Sequence, residues 1–331
     1  MSELRQNMAT KEWVIIASER AKRPEDFSRK ERTGRCNPPH VAACPFCPGN
    51  EDKTTAQTYA VMRNDQWQVR IFPNKYPAVK LDEGLEHRFD GMHRMMTGHG
   101  MHEVIAESPL HNVSLATMPR EDVLEVLRAY RHLYGMAAQN PSLAQIVLFK
   151  NHGPEAGTSL EHPHSQMVAV PVVPGEIRQR VSSAMRYHDD HGTCAYCDML
   201  RNELETQKRV VIASSYFVAF VLFAAFTPFH IWLMPRRHAS SFGEITDDEL
   251  EDLSRVLRRL LAKLHKGLSD PDYNLAVRSA PTELHSISYY HWYVTITVRL
   301  TKTAGFELGS GMFINVSVPE DSAAFLRQVE V

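Results

Sequence analysis

Cysteine is scarce in this 331-residue chain and odd in number: Cys36, Cys44, Cys47, Cys194 and Cys197. Five thiols cannot form a complete disulfide framework. The first residues, MSELRQNMATKEW, are charged and lack the apolar core of a secretory leader. Together these features predict a reducing, cytoplasmic setting in which the thiols serve as thiolates. Neither sign of charge dominates. The chain has 37 Lys and Arg against 39 Asp and Glu, a formal net charge of −2, which excludes a protein that coats nucleic acid through surplus cations. Uninterrupted apolar runs of membrane-spanning length are missing too. The one candidate, Tyr216 to Pro235, is broken by Thr227, Pro228 and His230, and reads as two buried strands joined by a turn. With 43% hydrophobic residues, the chain can bury a sizeable core in one or two domains.

What is present is concentrated in Asn151 to Gln166, NHGPEAGTSLEHPHSQ, followed by the β-branched run Met167-Val168-Ala169-Val170. In a strand, side chains at i, i+2 and i+4 share one face, so His162, His164 and Gln166 are expected to point the same way. Gly153, Gly157 and Ser159 lie just upstream, where backbone N–H groups can cradle an anion. Two imidazoles and a carboxamide suit nucleophile, anchor and oxyanion holder. The plainer alternative is three polar residues on a solvated strand face.

The pattern N-x-G-x-x-x-G-x-S-x-x-H-P-H-x-Q resembles the active-site segment of the galactose-1-phosphate uridylyltransferase family, within the histidine-triad superfamily. The resemblance runs from Arg20 to Glu307. It implies that His164 is a nucleophile forming a nucleotidyl-histidine, that the backbone carbonyl of His162 orients it, and that Gln166 donates to a phosphate oxygen. Hydrolytic relatives carry a third His in place of Gln166. An amide cannot pass protons, which fits transfer to a phosphate instead of water. Asn151, Gly157 and Ser159 belong to the same motif. Arg20 and Arg23 match an R-x-x-R that approaches the nucleotide phosphates, a task suited to planar guanidinium forks. Asn74 matches an asparagine near the base or ribose. Phe306-Glu307 resembles an aromatic-Glu pair that a partner subunit contributes to the sugar phosphate, so a homodimer sharing its sites is implied.

Four of the cysteines form two C-x-x-C pairs, and the surrounding pattern repeats. His111 to His162 spans 51 positions and His238 to His291 spans 53, each pair downstream of a C-x-x-C. The repeat predicts two structural zinc sites of the Cys₂His₂ kind, Cys44, Cys47, His111 and His162, then Cys194, Cys197, His238 and His291. His230 and His285 are rival ligands in the second half. Aligning His291 with His162 places Tyr293 opposite His164, so the second half keeps a metal ligand and loses the nucleophile.

These readings predict an α+β fold: a tandem repeat of two histidine-triad-like domains, residues 1–175 and 176–331, each an antiparallel sheet (half-barrel) packed with helices. The expected partners are a nucleoside diphosphate sugar and a sugar 1-phosphate or phosphate, with no nucleic acid and no membrane. The leading expectation is ping-pong transfer of UMP from a UDP-hexose to a hexose 1-phosphate. The alternative is a nucleoside-diphosphate-sugar phosphorylase of ADP-glucose type, using inorganic phosphate. Two features point to that alternative: Ser165 stands where the family usually has Gly, and Gly309-Ser310-Gly311 replaces a region holding a Gln, with backbone suited to an anion.

Overall fold

The computed structural model describes residues 1–20, 22–27 and 38–331; Cys36 lies outside them. The strands are β1 (Glu3–Gln6), β2 (Trp13–Ile16), β3 (Tyr59–Arg63), β4 (Gln66–Pro73), β5 (His87–Asp90), β6 (His93–Met96), β7 (Met101–Ala106), β8 (Gln145–His152) and β9 (His164–Val170). The second half adds β10 (Val210–Ala213), β11 (Phe217–Val221), β12 (Ile231–Pro235), β13 (Tyr273–Arg278), β14 (Tyr293–Val298) and β15 (Phe313–Asn315). Six α-helices accompany them among the described residues: α1 (Arg120–Ala138), α2 (Gly175–His191), α3 (Ala195–Thr206), α4 (Asp247–Gly267), α5 (Gly305–Ser310) and α6 (Pro319–Gln328).

Ten strands form one antiparallel sheet in the order β10-β11-β12-β14-β13-β8-β9-β7-β4-β3. The order is the same read outward from its centre in either direction, once each first-half strand is matched with its second-half counterpart. The α+β tandem repeat expected from the sequence is therefore present, and its halves are fused edge to edge. β8 and β13 make the seam, with Tyr273 opposite His152 and Asn274 opposite Asn151. Asn274 reinforces it by donating Nδ2–H to Asn151 Oδ1 at 2.8 Å and to the Ala156 carbonyl at 2.9 Å.

The long helices α1 and α4 occupy matching places in the two halves and pack on each other. α4 begins with a capping box: Thr246 Oγ1 accepts from the Glu249 N–H at 3.2 Å, and Glu249 accepts from the Thr246 N–H at 2.9 Å. Asp247, Asp248 and Glu249 crowd its first turn, where the helix dipole favours anions. Leu250, Leu253, Leu257, Leu260, Leu261 and Leu264 recur at helical spacing and are all buried. Each contributes about 2 kcal/mol of hydrophobic stabilisation. The apolar run Tyr216 to Pro235 becomes the hairpin β11–β12 in the sheet interior. No described helix is long and apolar enough to cross a membrane.

A smaller sheet, β1-β2-β15, joins β2 to β15 in parallel. It brings the start of the chain against the segment that follows α5.

On β7, Glu103 is buried, and burial raises its carboxyl to about 7. The folded state thus keeps a proton that the unfolded chain releases near 4.5. The stability this proton confers is present in full below that value and is lost as pH rises through about 7. Glu103→Gln is expected to flatten the melting temperature across that window, checked by thermal unfolding at stepped pH.

Candidate active site

Cys44 and Cys47 sit on a tight turn in which the Cys47 N–H donates to the Cys44 carbonyl at 3.3 Å. The Val41 N–H donates to Cys47 Sγ, also at 3.3 Å. His111 follows β7 and His162 precedes β9, so adjacent strands deliver both rings to the same turn. Each Nδ1 lies 3.5 Å from Cys47 Sγ. His162 Nε2 donates to the Ser108 carbonyl at 2.8 Å, which frees its Nδ1 as a ligand. The four ligand atoms lie within 4.8 Å of one another and all four residues are buried. A sulfur–nitrogen separation of about 3.5 Å is the edge of a tetrahedron around zinc. Burial raises the Cys44 thiol above its ordinary value, so keeping both sulfurs as thiolates calls for a cation among them. The donor set fits the metal.

His164 is the first residue of β9, two positions on. Its Nδ1 lies 2.8 Å from the His162 carbonyl. A carbonyl can only accept, so Nδ1 carries the proton and Nε2 the lone pair. Burial lowers the His164 pKa, the His162 carbonyl opposes that, and Lys150 lowers it further, so the ring stays neutral at neutral pH. The ring lines a cleft of about 320 Å³ whose walls include Phe46, Phe72, Tyr76 and Val104. Phe46 stands edge-on to it at 5.3 Å.

Behind β9 lies a buried polar network that the sequence did not reveal. Lys150 Nζ donates to Glu107 Oε2 at 2.6 Å and to the His164 carbonyl at 3.1 Å. Tyr130 donates to Glu107 Oε1 at 2.8 Å, and Ser165 bonds both Tyr130 and Glu107. Burial pushes the Glu107 carboxyl up, but Lys150 and the hydroxyl donors outweigh it and hold it ionised. Strand alternation thus turns Ser165 away from the cleft. Its replacement of Gly contributes to the support of the His164 backbone and says nothing about the acceptor.

Gln166 faces the cleft beside His164. Its Oε1 is 2.8 Å from His102 Nε2, and His102 Nδ1 accepts from the Ala78 N–H at 3.1 Å. That bond leaves the His102 proton on Nε2, which donates to Gln166 and leaves the Gln166 amide N–H groups for the cleft. Asn74 Nδ2 approaches the same oxygen at 3.4 Å, while its Oδ1 accepts from the Tyr76 N–H at 2.9 Å. His102 is a site residue that sequence reasoning missed. The only signal was its alternation with Val104 on one strand face.

The loop between β8 and β9 is less open to ligands than its glycines suggest. Gly153 has φ +86°, and a Cβ there would lie 2.0 Å from Asp272 Oδ1. Asp272 accepts from the Glu155 N–H at 2.7 Å. The N–H groups of Ala156, Gly157 and Thr158 bond within the loop, and Gly157 is a left-handed cap at φ 89°. Of the motif's loop residues, Ser159 reaches the cleft. Asn151 lies at the β8–β13 seam instead.

Arg20, Arg23, Phe306 and Glu307 do not line the His164 cleft. They flank the small β1-β2-β15 sheet, where the Lys22 N–H donates to the Val316 carbonyl at 2.9 Å. Arg20, Arg23 and Phe306 are exposed. Glu307 caps its own helix by accepting from the Ala304 N–H at 3.0 Å. Gly309 and Ser310 belong to α5, and the Gly311 N–H donates to the Glu307 carbonyl at 2.8 Å. This stretch is a helix end, not an anion-binding loop, so the second sequence sign of a phosphate acceptor also falls away.

The second cluster gathers Cys194, Cys197 and His238. Cys197 Sγ is 3.2 Å from His238 Nδ1, whose Nε2 donates to the Ile287 carbonyl at 2.9 Å. His291 does not join it. Its ring stands edge-on to His238 at 5.3 Å, but Nδ1 faces the Trp292 carbonyl and Nε2 is buried without a partner. His230 bonds Thr295, and His285 is exposed.

Residues 1–174 match the family profile of the galactose-1-phosphate uridyl transferase N-terminal domain, and residues 180–330 that of its C-terminal domain. The chain belongs to the galactose-1-phosphate uridylyltransferase family. Among its relatives in that family is ADP-glucose phosphorylase of Arabidopsis thaliana, 36% identical over 99% of this chain and 93% of the relative. Galactose-1-phosphate uridylyltransferase of Thermotoga maritima is 29% identical over 100% and 99%. The crystal structure of the Arabidopsis ADP-glucose phosphorylase with bound ADP-glucose superposes with a TM-score of 0.85 at 32% identity, covering 100% of this chain and 99% of that one.

Proposed function

We propose that this enzyme moves a nucleotidyl group from a nucleoside diphosphate sugar to a phosphate through His164. The observation that carries the reading is the His164 ring on the wall of the cleft, locked through Nδ1 on the His162 carbonyl, which leaves the lone pair on Nε2. Nε2 attacks the α-phosphorus. An N–P bond forms, the P–O bond to the sugar phosphate breaks, and the sugar 1-phosphate leaves with the electron pair. The ring carries a positive charge in the intermediate, which the His162 carbonyl stabilises across the Nδ1–H bond. An acceptor phosphate oxygen then displaces the histidine. Gln166 donates to the phosphoryl oxygens, oriented by His102. Cys44, Cys47, His111 and His162 would hold a zinc ion whose part is to fix the His162 backbone, and Cys194, Cys197, His238 and His291 a second structural one. The orphaned His291 Nε2 supports that fourth ligand, which a turn of the ring would bring into place.

The cleft holds only part of the expected substrate shell. Asn74, Ser159, His164 and Gln166 surround it, whereas Arg20, Arg23, Phe306 and Glu307 lie outside it. That division supports a homodimer in which each copy lends the second group to its partner's cleft. Sedimentation of the active enzyme as a monomer would sink this part.

For the reaction's partners we infer ADP-glucose as donor and inorganic phosphate as acceptor. The 36% identity to the Arabidopsis phosphorylase along 99% of the chain supports it. Uridylyl transfer to a hexose 1-phosphate is the second reading, favoured by the family profiles and the Thermotoga relative. The two readings separate on discharge of the intermediate. Enzyme loaded from ADP-glucose or UDP-glucose, freed of ligand, is offered phosphate, glucose 1-phosphate and galactose 1-phosphate in turn. The expected result is faster loading from ADP-glucose and faster discharge by phosphate. Faster loading from UDP-glucose with discharge by galactose 1-phosphate alone would establish the second reading.

A further inference from the structure

The second half contains a cleft at the position that corresponds to the His164 cleft of the first. Thr295 on β14 lies opposite Trp232 on β12 and Ala276 on β13, as Gln166 on β9 lies opposite Val104 on β7 and Phe149 on β8. Counting along the strands from these positions sets Tyr293 where His164 stands, His230 where His102 stands and Arg278 where Asn151 stands. The polar pair is repeated as well. His102 bonds Gln166 at 2.8 Å, and His230 Nε2 lies 2.9 Å from Thr295 Oγ1.

This cleft has a volume of about 240 Å³, and its lining includes Arg180, His230, Trp232, Arg278, Thr295 and Thr297. Its polar groups are short of partners. His230 is only 5% exposed, and its Nδ1 has no hydrogen bond. Burial lowers its pKa to about 3, so the ring is neutral. Thr295 can donate to Nε2, which leaves the proton on Nδ1 as a donor. Arg278 has a buried Nε without a partner and makes no ion pair among the described residues. Arg180 is engaged with Tyr293 at 2.9 Å, Glu12 at 3.2 Å and Glu176 at 2.7 Å, a single cation serving both carboxylates, so that with Arg278 the charges of the lining balance. What remains without a partner is the Arg278 Nε–H beside an imidazole N–H and the Thr297 hydroxyl. Unpaired donors in a partly dry pocket, one of them charged, call for an anion. A tyrosine replaces the nucleophile, so the cleft can bind but cannot form a histidine–phosphorus bond.

We propose that this second-half cleft is a noncatalytic site for a phosphate group, carried by free phosphate or by a nucleotide, with Arg278 and His230 as its donors. The choice of phosphate, and that alone, rests on the function proposed above. Two of the four tryptophans, Trp13 and Trp232, line this cleft and none lines the His164 cleft, so tryptophan emission reports on it, with Gln166→Ala as the control for Trp67, which packs on Phe46 and Phe72 beside the His164 cleft. Inorganic phosphate, AMP and UMP are titrated into the native enzyme, Gln166→Ala, Arg278→Gln and Arg278→Lys. Saturable emission changes are expected in the native enzyme and Gln166→Ala. In Arg278→Gln the apparent affinity should fall at least about tenfold, the scale of one charge-assisted contact, with much of it kept by Arg278→Lys. If Arg278→Gln does not fold, Thr295→Val carries the same expectation. Tighter binding of a nucleotide than of phosphate identifies the nucleotide as the ligand, and equal binding identifies the phosphate group alone. Unaltered titration in Arg278→Gln, loss of the response in Gln166→Ala, or no saturation in the native enzyme would overturn the proposal. Because Gln166→Ala disables the first cleft and not the second, failure of the proposed reaction and failure of this site are told apart.

Discussion

His164→Gly is expected to abolish turnover, by a factor on the order of 10⁶, the scale seen when a covalent nucleophile is removed. The fold should survive, because the His164 ring contributes one hydrogen bond to a backbone carbonyl and one edge-on contact with Phe46. The Cys and His cluster is formed by other side chains and should keep its metal. Steady-state rates, with metal content and melting temperature measured alongside, check this. Turnover within tenfold of the native enzyme would remove His164 from the mechanism. A comparable rate loss with metal lost as well would assign it a structural part instead.

The second large effect concerns the metal. Two zinc ions per chain are expected by elemental analysis of protein purified without chelators. Apparent binding free energies of structural zinc sites reach about 10 kcal/mol or more, comparable to the whole stability of a typical domain. Cys47→Ser is therefore expected to leave the first half unfolded. Cys47 has the central place in that cluster, contacting both Nδ1 atoms at 3.5 Å. Cys194→Ser should cost the second ion and lower the melting temperature, while transfer of the nucleotidyl group to His164 persists below it. Retention of both ions and of the native melting temperature in Cys47→Ser would contradict the assignment.

Much of this site was legible in the sequence because it rests on short-range pattern. The spacing of His162, His164 and Gln166 is local, and the repeated C-x-x-C marks both clusters, Cys44, Cys47, His111 and His162 in the first and Cys194, Cys197 and His238 in the second, with His291 standing apart. The α4 capping box and its leucine stripe likewise announce themselves. What could not be read depends on strand register. Glu107 and Lys150 are 43 positions apart and meet only because β7 and β8 flank β9. The inward turn of Ser165 follows from a strand that starts at His164, and the same start separates His162 from the face shared by His164 and Gln166. Gly309-Ser310-Gly311 read as backbone suited to an anion, yet it closes a helix. The correspondence of Arg278 with Asn151 needed the registers of β13 with β14 and of β8 with β9, which no spacing of histidines supplies.

The most direct test of the central claim is the mass of the His164 peptide after a single exposure to donor. The enzyme is mixed with ADP-glucose or UDP-glucose without acceptor, quenched in alkaline denaturant to preserve an N–P bond, digested and measured. One nucleoside monophosphate added to the peptide containing His164, released by mild acid and absent from His164→Gly, is the result expected. An unmodified His164 peptide under conditions in which the same enzyme turns over, or a nucleotide found on another residue, would contradict it.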